Sequence, residues 1–365
     1  MAGNDRSGTV DCNLNLLKAV ELVLPASARD LLPFVDPMTF KKEKIRQDGP
    51  DNGDAATFQK LEAFWAAYEQ QTRYIIQKCK DLYEQSELCG PVSAHPVFVL
   101  LWSTDARKRP GRDPGAAEIS FVTLEAVTFA TTVDSLLAIK YLTRQKKCTM
   151  EELIQALKNN WEGHGCFRLW PKTGPWHGRD DAAADAMAKT GNGSLDRRNL
   201  ETLHHLHGPA VPAGHAELEL LGRRRYVMAA SADGRKKGQF LSNAICPSNG
   251  ADIHGPTANA NSVGTALGGK DPENGDWEDY VNSLPNGASH TITFNPAIIR
   301  DPEHRDKFKA FLKGYAANGG TCLQVNILDP EMLKDAQENP QDYRHLLSDH
   351  RIQCLFYLCG PGAAE

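Results

Sequence analysis

Within its 365 residues the chain has no uninterrupted apolar run long enough to cross a bilayer. Its first ten residues, Met1 to Val10, are polar and Gly-rich and contain no apolar signal-peptide core. No two of its nine cysteines form a Cys-x-x-Cys pair, and their number is odd. A disulfide framework is therefore not expected, and reduced thiols in a cytoplasmic setting are. Strong positive charge is also missing: the formal net charge is −5, which argues against a nucleic-acid binder that lives on phosphate contacts. Neither a nucleic acid nor a membrane is an expected partner. What is present is ordinary globular composition, 41% hydrophobic and 24% charged, on a length that buries one large core or two smaller ones.

The stretch from Ala229 to Gly264 organises the rest. Asp233-Gly234 is a tight-turn signal, and Gly250 and Gly255-Pro256 break the chain again. After Lys237 it carries few charges, and its residues are small. A long, nearly uncharged loop in a globular chain points to function rather than spacing, with an ordinary surface loop as the competing reading.

Elsewhere the periodicity alternates between helix and strand. Leu16, Leu17, Val20 and Leu24 recur at helical spacing within Asp11 to Leu24, with Asp11 or Asn13 as cap and Pro25 as stop. Ala55 to Leu88 reads as one long helix with an aromatic-rich core face. Ile119 to Leu124 is a strand candidate and Thr131 to Leu142 a helix. Thr149 caps the next helix, with Glu151 and Glu152 in its first turn. His290 to Phe294 alternates as a strand does. Asp301 to Ala317 is an amphipathic helix with Phe308, Phe311, Leu312 and Tyr315 inward, ended by Gly319-Gly320. A strand over 321–327 and a helix from Pro330 to Gln337 follow. This punctuation is that of an α/β protein.

Three groups invite a metal or anion reading. Asp180, Asp181 and Asp185 have no oxygen-rich partner motif beside them, so capping and surface roles are expected. His204, His205, His207 and His215 fit neither a helical His-x-x-x-His pair nor a Cys/His finger, and read as part of a divergent loop. Arg107-Lys108-Arg109-Pro110 reads as a solvated turn. No metal ligand is assigned.

Four ordered segments resemble the glycyl radical enzymes, the pyruvate formate-lyase family. They are Asp233-Gly234-Arg235 with Gly238, Leu241-Ser242 and Gly255-Pro256-Thr257-Ala258; Asp134 to Lys140, reading Asp-Ser-Leu-Leu-Ala-Ile-Lys; Trp161-Glu162-Gly163 followed by Gly178-Arg179-Asp180, with Arg179 where the family has Asn; and Leu323-Gln324-Val325-Asn326 followed by Asp335-Ala336-Gln337, Tyr343-Arg344 and Leu346-Leu347. The resemblance implies an α/β fold, part of a ten-stranded glycyl radical enzyme α/β barrel with many surrounding helices. It divides the chain into residues 11–189, the C-terminal part of a pyruvate formate-lyase-like domain; a divergent linker, 190–223; a glycyl-radical-type domain, 224–347; and an unrelated tail, 348–365.

The resemblance also implies chemistry. Family members store a radical on the Gly of Arg-Val-(Ser/Thr)-Gly-Tyr and pass it to the Cys of Gly-Cys-x-x-Pro. Here Ile352 falls where that Gly is expected, and no Gly-Cys-x-x-Pro occurs. Cys12 lacks the flanking Gly and Pro and reads as a small buried hydrophobe. The expected function is therefore that of a lyase relative, cleaving C–C, C–O, C–N or C–S bonds or decarboxylating a small organic substrate, but truncated and inactive as written. A non-catalytic module that docks on a full-length radical enzyme is the alternative. No catalytic residue is assigned. The expected substrate-pocket loops carry Asn249, Asp252, Gly255, Pro256 and Thr257. No cofactor is expected to bind directly; the family's radical is installed by an iron–sulfur S-adenosylmethionine activating enzyme, the implied partner of a complete form. Homodimerisation is an assembly the resemblance allows.

Overall fold

The computed structural model describes residues 12–24, 34–35, 42–43, 49–58, 61–88, 124–144, 147–165, 174–191, 214–215, 228–267, 288–327, 329–339 and 341–342. A short strand β1 (Cys12–Asn15) runs straight into α1 (Leu16–Val23). The strands β2 (Phe34–Val35) and β3 (Lys42–Glu43) pair antiparallel. The long helix α2 (Leu61–Leu88) precedes β4 (Leu124–Val127), α3 (Phe129–Arg144) and α4 (Met150–Lys158). Then come α5 (182–191), β5 (Gly214–His215) and α6 (Pro256–Ala266). The last elements are β6 (Ser289–Phe294), α7 (Ala297–Arg300), α8 (Pro302–Ala317), β7 (Cys322–Ile327) and α9 (Pro330–Glu338).

One sheet has the order β1–β4–β5, with both pairings parallel and Cys12 opposite Leu124 through Asn15 opposite Val127. A second sheet is the parallel pair β6–β7, with Ser289 opposite Cys322 and Phe294 opposite Ile327. Parallel strands need helical coverage, and here β1, β4, β6 and β7 are each followed by a helix.

Two strand-to-helix junctions lie side by side at the carboxyl ends of β1 and β4. The Asn15 side chain accepts from the Lys18 amide at 3.2 Å and caps α1. Thr128 is held at φ +66, an unusual conformation for a β-branched residue. Its hydroxyl accepts from the Leu17 amide at 3.1 Å and donates to Asn15 Oδ1 at 3.1 Å. Those bonds tie the first turn of α1 to the start of α3. The sequence places the α1 cap at Asp11 or Asn13; the structure corrects this, because Asn13 lies inside β1 opposite Glu125, and helix can begin only where the ladder ends.

The helix α3 is buried from Phe129 to Ile139. Fully burying side chains such as Phe129, Leu137 or Ile139 contributes about 1.5–3 kcal/mol each. Thr149 and Glu152 form a reciprocal capping box at the start of α4, as the sequence indicates. The helix from Ala55 is shorter than its pattern: a 3₁₀ turn over Ala55–Thr57, capped by Asp54, precedes α2. The strand expected at Ile119 to Leu124 is seen from Leu124 onward, its earlier part lying outside the described residues.

The β6–β7 pair is packed by α8 on one face. Phe294 meets Phe308 and Phe311 edge-on, at ring-centroid distances of 5.3 and 5.5 Å, and His290 stacks obliquely on Tyr315 at 5.5 Å. Leu312 is exposed rather than inward. Phe308, Phe311 and Tyr315 form the stripe on the described pair β6–β7, and Leu312 is rotated about 100° away from Phe311.

Candidate functional site

The motif residues, scattered over more than a hundred positions, meet at the N-terminal half of α3. The Thr131 amide donates to Ser242 Oγ at 3.0 Å, and the Ser242 amide donates back to Thr131 Oγ1 at 2.9 Å. One turn on, the buried Asp134 carboxylate accepts from the His177 amide and from the Ser248 hydroxyl, both at 2.9 Å. Burial pushes its pKa well above the ordinary carboxylate value, more strongly than those two bonds and Arg179 pull it down. Asp134 thus joins α3, the 174–180 loop and the 241–250 loop.

Around it each motif is locked by its own bonds. Arg235 is 6% exposed, and its guanidinium donates to Ser231 Oγ at 3.1 Å and to the carbonyls of Lys236 and Gln239 at 3.1 and 3.0 Å, and also to that of Ala229. Burial lowers the Arg235 pKa and raises that of its neighbour Asp233, which accepts from Ser231 and from the Arg235 amide. The Asp233-Gly234-Arg235 signature is therefore a staple for its own turn. Trp161, buried at φ +64, donates its indole N–H to the Ser231 carbonyl at 3.2 Å, and the Lys237 amide donates to Asn160 Oδ1 at 2.7 Å. These two contacts dock the end of α4 on the same turn.

The Gly178-Arg179-Asp180 turn has a steric reason for its glycine. Gly178 sits at φ +98, and a Cβ there would stand 2.4 Å from the Pro247 side chain. The Asp180 amide donates to Ser262 Oγ at 3.0 Å, and Asn261 donates to Asp180 Oδ2 at 2.9 Å, binding the turn to α6. The Arg179 guanidinium lies over the Trp176 ring at 5.2 Å.

The three acids take different roles. Asp181 caps 182–191 through the amides of Ala183 and Ala184, both at 3.0 Å. Asp185 corrects the expectation of a surface role: it is 5% exposed, because it faces inward beside His177. Among the described residues no three His, Cys, Asp or Glu groups converge as a metal ion requires. His204, His205 and His207 lie outside the described residues.

The structure gathers the five pocket-loop residues on one corner. Asn249 and Asp252 are exposed in the turn before α6. Gly255, at φ +86, is the N-cap, and Pro256 and Thr257 form the exposed first turn. A Cβ on Gly255 would meet nothing within 4 Å, so the backbone angle, not space, favours glycine there. This corner is anchored from below by Ala251, which is fully buried, and by His254 Nδ1, 2.9 Å from the Arg179 carbonyl. It does not include Asp134, His177, Thr131 or Ser248. Sequence reasoning recognises Asp134 and Ser242 as pattern residues without seeing that they bond to other motifs; the only signal for Ser248 is its place in the uncharged stretch.

Known proteins match most of the chain. The profile described as "Pyruvate formate lyase-like" matches residues 12–195, and that described as "Glycine radical" matches residues 277–348. The chain is 26% identical over 351 residues to trans-4-hydroxy-L-proline dehydratase of Clostridioides difficile, covering 92% of this chain and 40% of that protein. It is 29% identical over 317 residues to isethionate sulfite-lyase of Nitratidesulfovibrio vulgaris, covering 82% and 35%. Among solved structures, the glycerol-bound B12-independent glycerol dehydratase of Clostridium butyricum superposes with TM-score 0.75 at 23% identity, over 93% of this chain and 40% of that one. The C. difficile hydroxyproline dehydratase with its substrate bound gives TM-score 0.75 at 24% identity, over 91% and 39%. The fold is thus that of part of a glycyl radical enzyme α/β barrel, and the chain spans about two fifths of the length of these relatives.

Proposed function

Given that the chain belongs to the pyruvate formate lyase-like family of glycyl radical enzymes, we propose that it is the scaffold portion of a dehydratase or C–S lyase acting on a small organic molecule, and that residues 1–365 by themselves do not catalyse. Its relatives are glycyl radical dehydratases and lyases. The observation that carries the proposal is a contrast within the sequence. The motifs that build the Asp134 hub are present, with Arg179 in place of Asn as a departure, whereas neither Arg-Val-(Ser/Thr)-Gly-Tyr nor Gly-Cys-x-x-Pro is present and Ile352 stands where the radical glycine is expected. A glycyl radical needs a Cα bearing no side chain; the isoleucine Cα is substituted, and a β-branched side chain bars close approach of a cysteine loop.

In this reading the chain's own residues have a mechanical part. The hub fixes the 241–250 and 174–180 loops, and these hold the Asn249–Thr257 corner as a wall toward substrate. Radical installation by an iron–sulfur S-adenosylmethionine enzyme belongs to a complete form, and the chain shares the cytoplasmic setting of such chemistry. The test is anaerobic incubation of the full chain with an activating enzyme, S-adenosylmethionine and reductant, read by electron paramagnetic resonance. No organic radical on this chain is expected; a glycine-centred doublet would sink the proposal.

The same missing centres favour a second reading, a non-catalytic module that docks on a full-length radical enzyme. Co-elution with such an enzyme from a sizing column supports it, and separate elution at concentrations well above micromolar removes it.

A further inference from the structure

Beneath the hub lies a polar cluster that no part of the proposed chemistry uses. Four buried polar atoms on His177, Asp185 and His290 have no hydrogen-bond partner: both ring nitrogens of His177, Asp185 Oδ1 and His290 Nδ1. His177 is fully buried, Asp185 is 5% exposed and His290 is 1% exposed. They come from three places, the 174–180 loop, α5 and β6. Their remaining polar contacts are made elsewhere: the His177 amide donates to Asp134, the Asp185 amide donates to the Asp181 carbonyl at 2.8 Å, and His290 Nε2 is 2.8 Å from Asn259 Oδ1. Apolar contact covers the rest, with the Phe129 ring edge-on to His177 at 5.8 Å and the Tyr315 ring against His290.

Native interiors leave very few polar groups unpaired, since each costs about 1–3 kcal/mol. At His177 and Asp185 the unpaired groups are neighbours, and their chemistry is complementary: an imidazole nitrogen that donates or accepts, and a carboxylate oxygen that accepts. His177 Nδ1 and Asp185 Oδ1 are 3.8 Å apart, beyond a direct hydrogen bond and within the span that one bridging molecule covers. A metal ion is a poor fit, because no three ligating groups converge among the described residues. A water molecule needs two to four polar partners, and His177 Nδ1 and Asp185 Oδ1 supply two.

We propose that His177 and Asp185 form an internal hydration site, in which a bound water bridges His177 Nδ1 to Asp185 Oδ1. The water acts as a structural ligand: through it α5 is tied to the loop whose backbone holds Asp134, so the hub gains its anchor to α5 without a direct side-chain bond. Because the site takes water and nothing from the radical chemistry, it stands or falls independently of the proposed function.

The test uses the full chain with ¹⁵N,¹³C-histidine labelling. Water-selective nuclear Overhauser measurements read a long-lived bound water at the His177 ring. The expected result is a strong water cross-peak at that ring, resistant to dilution of surface water signals and abolished in Asp185→Leu. Absence of the cross-peak in the wild-type chain overturns the proposal, as does a crystal structure in which His177 and Asp185 bond directly at an ordinary N···O distance. If Asp185→Leu does not fold, the wild-type cross-peak alone decides, and His177→Phe supplies the second variant, expected to lower the melting temperature by leaving the Asp185 carboxylate unbridged.

Discussion

Two helices of equal length in this chain are buried in opposite ways. Helix α3, over Phe129–Arg144, is enclosed along most of its length, although it carries Thr131, Thr132, Asp134 and Ser135 inside. Helix α8, over Pro302–Ala317, buries only Tyr315 and lines its outer face with charged pairs such as Glu303–Lys307 and Asp306–Lys309. The difference is one of partners. Thr131 and Asp134 of α3 are satisfied by residues far along the chain, Ser242, His177 and Ser248, so the helix is a junction. The charged groups of α8 pair with neighbours one turn away, and its buried Tyr315 donates to the Cys322 carbonyl of β7 at 3.1 Å, so the helix is a cover for β6–β7. A cover tolerates change; a junction transmits it.

The largest break in this contrast is expected at Asp134. Asp134→Ala leaves the His177 amide and the Ser248 hydroxyl without their acceptor inside the core, a loss of about 3–5 kcal/mol in chemical denaturation. Asp134→Asn keeps an acceptor and costs much less. It also has a pH signature. The folded pKa of Asp134 is raised, so its contribution is full below the unfolded value of about 3.9 and is lost as pH rises through the folded value; the Asn variant is expected to remove that loss, seen as a flatter stability–pH curve.

Gly178→Ala comes next. It pays both for positive φ and for collision with Pro247, about 2–4 kcal/mol together, measured as a drop in denaturation midpoint. The β6–α8 unit gives a smaller, pH-gated effect. Burial, and then the nearby His177, hold His290 down to about 4. The unfolded chain therefore binds more protons below its own value of about 6.5. Stability is full above that pH and falls by roughly 2–3 kcal/mol as pH drops toward 4, a slope that His290→Asn is expected to weaken. At the small end, Lys307→Ala breaks an ion pair that is exposed on both sides, and its midpoint is expected to stay within experimental error of the wild type.

Local structure was legible wherever a residue's partner lies within a few positions. Thr149 and Glu152 announce the α4 capping box, and the alternation from His290 to Phe294 announces β6. The start of α1 was misplaced because β1, only four residues long, has no period of its own to read, and its pairing with β4 comes from 112 residues away. Asp185 looked like a surface acid because composition cannot show that α5 turns it toward His177. Leu312 is exposed because α8 turns Phe308 and Phe311 toward Phe294, a choice of face that the helical pattern alone does not make. At the site, the family patterns flagged Asp134, Ser242 and Gly178 as residues of interest. That they bond or pack against one another's segments was hidden, since a hydrogen bond between residues 111 positions apart leaves no local trace.

The motif residues serve first as a structural junction. Native-state hydrogen exchange tests this most directly, by following the amides of Thr131, His177, Lys237 and Ser242 beside those along α8. The junction amides are expected to exchange only through global unfolding, with a denaturant dependence equal to that of the whole chain, while α8 opens locally and exchanges faster. If the four junction amides exchange as fast as those of α8, the motifs do not hold the fold together and the junction does not exist.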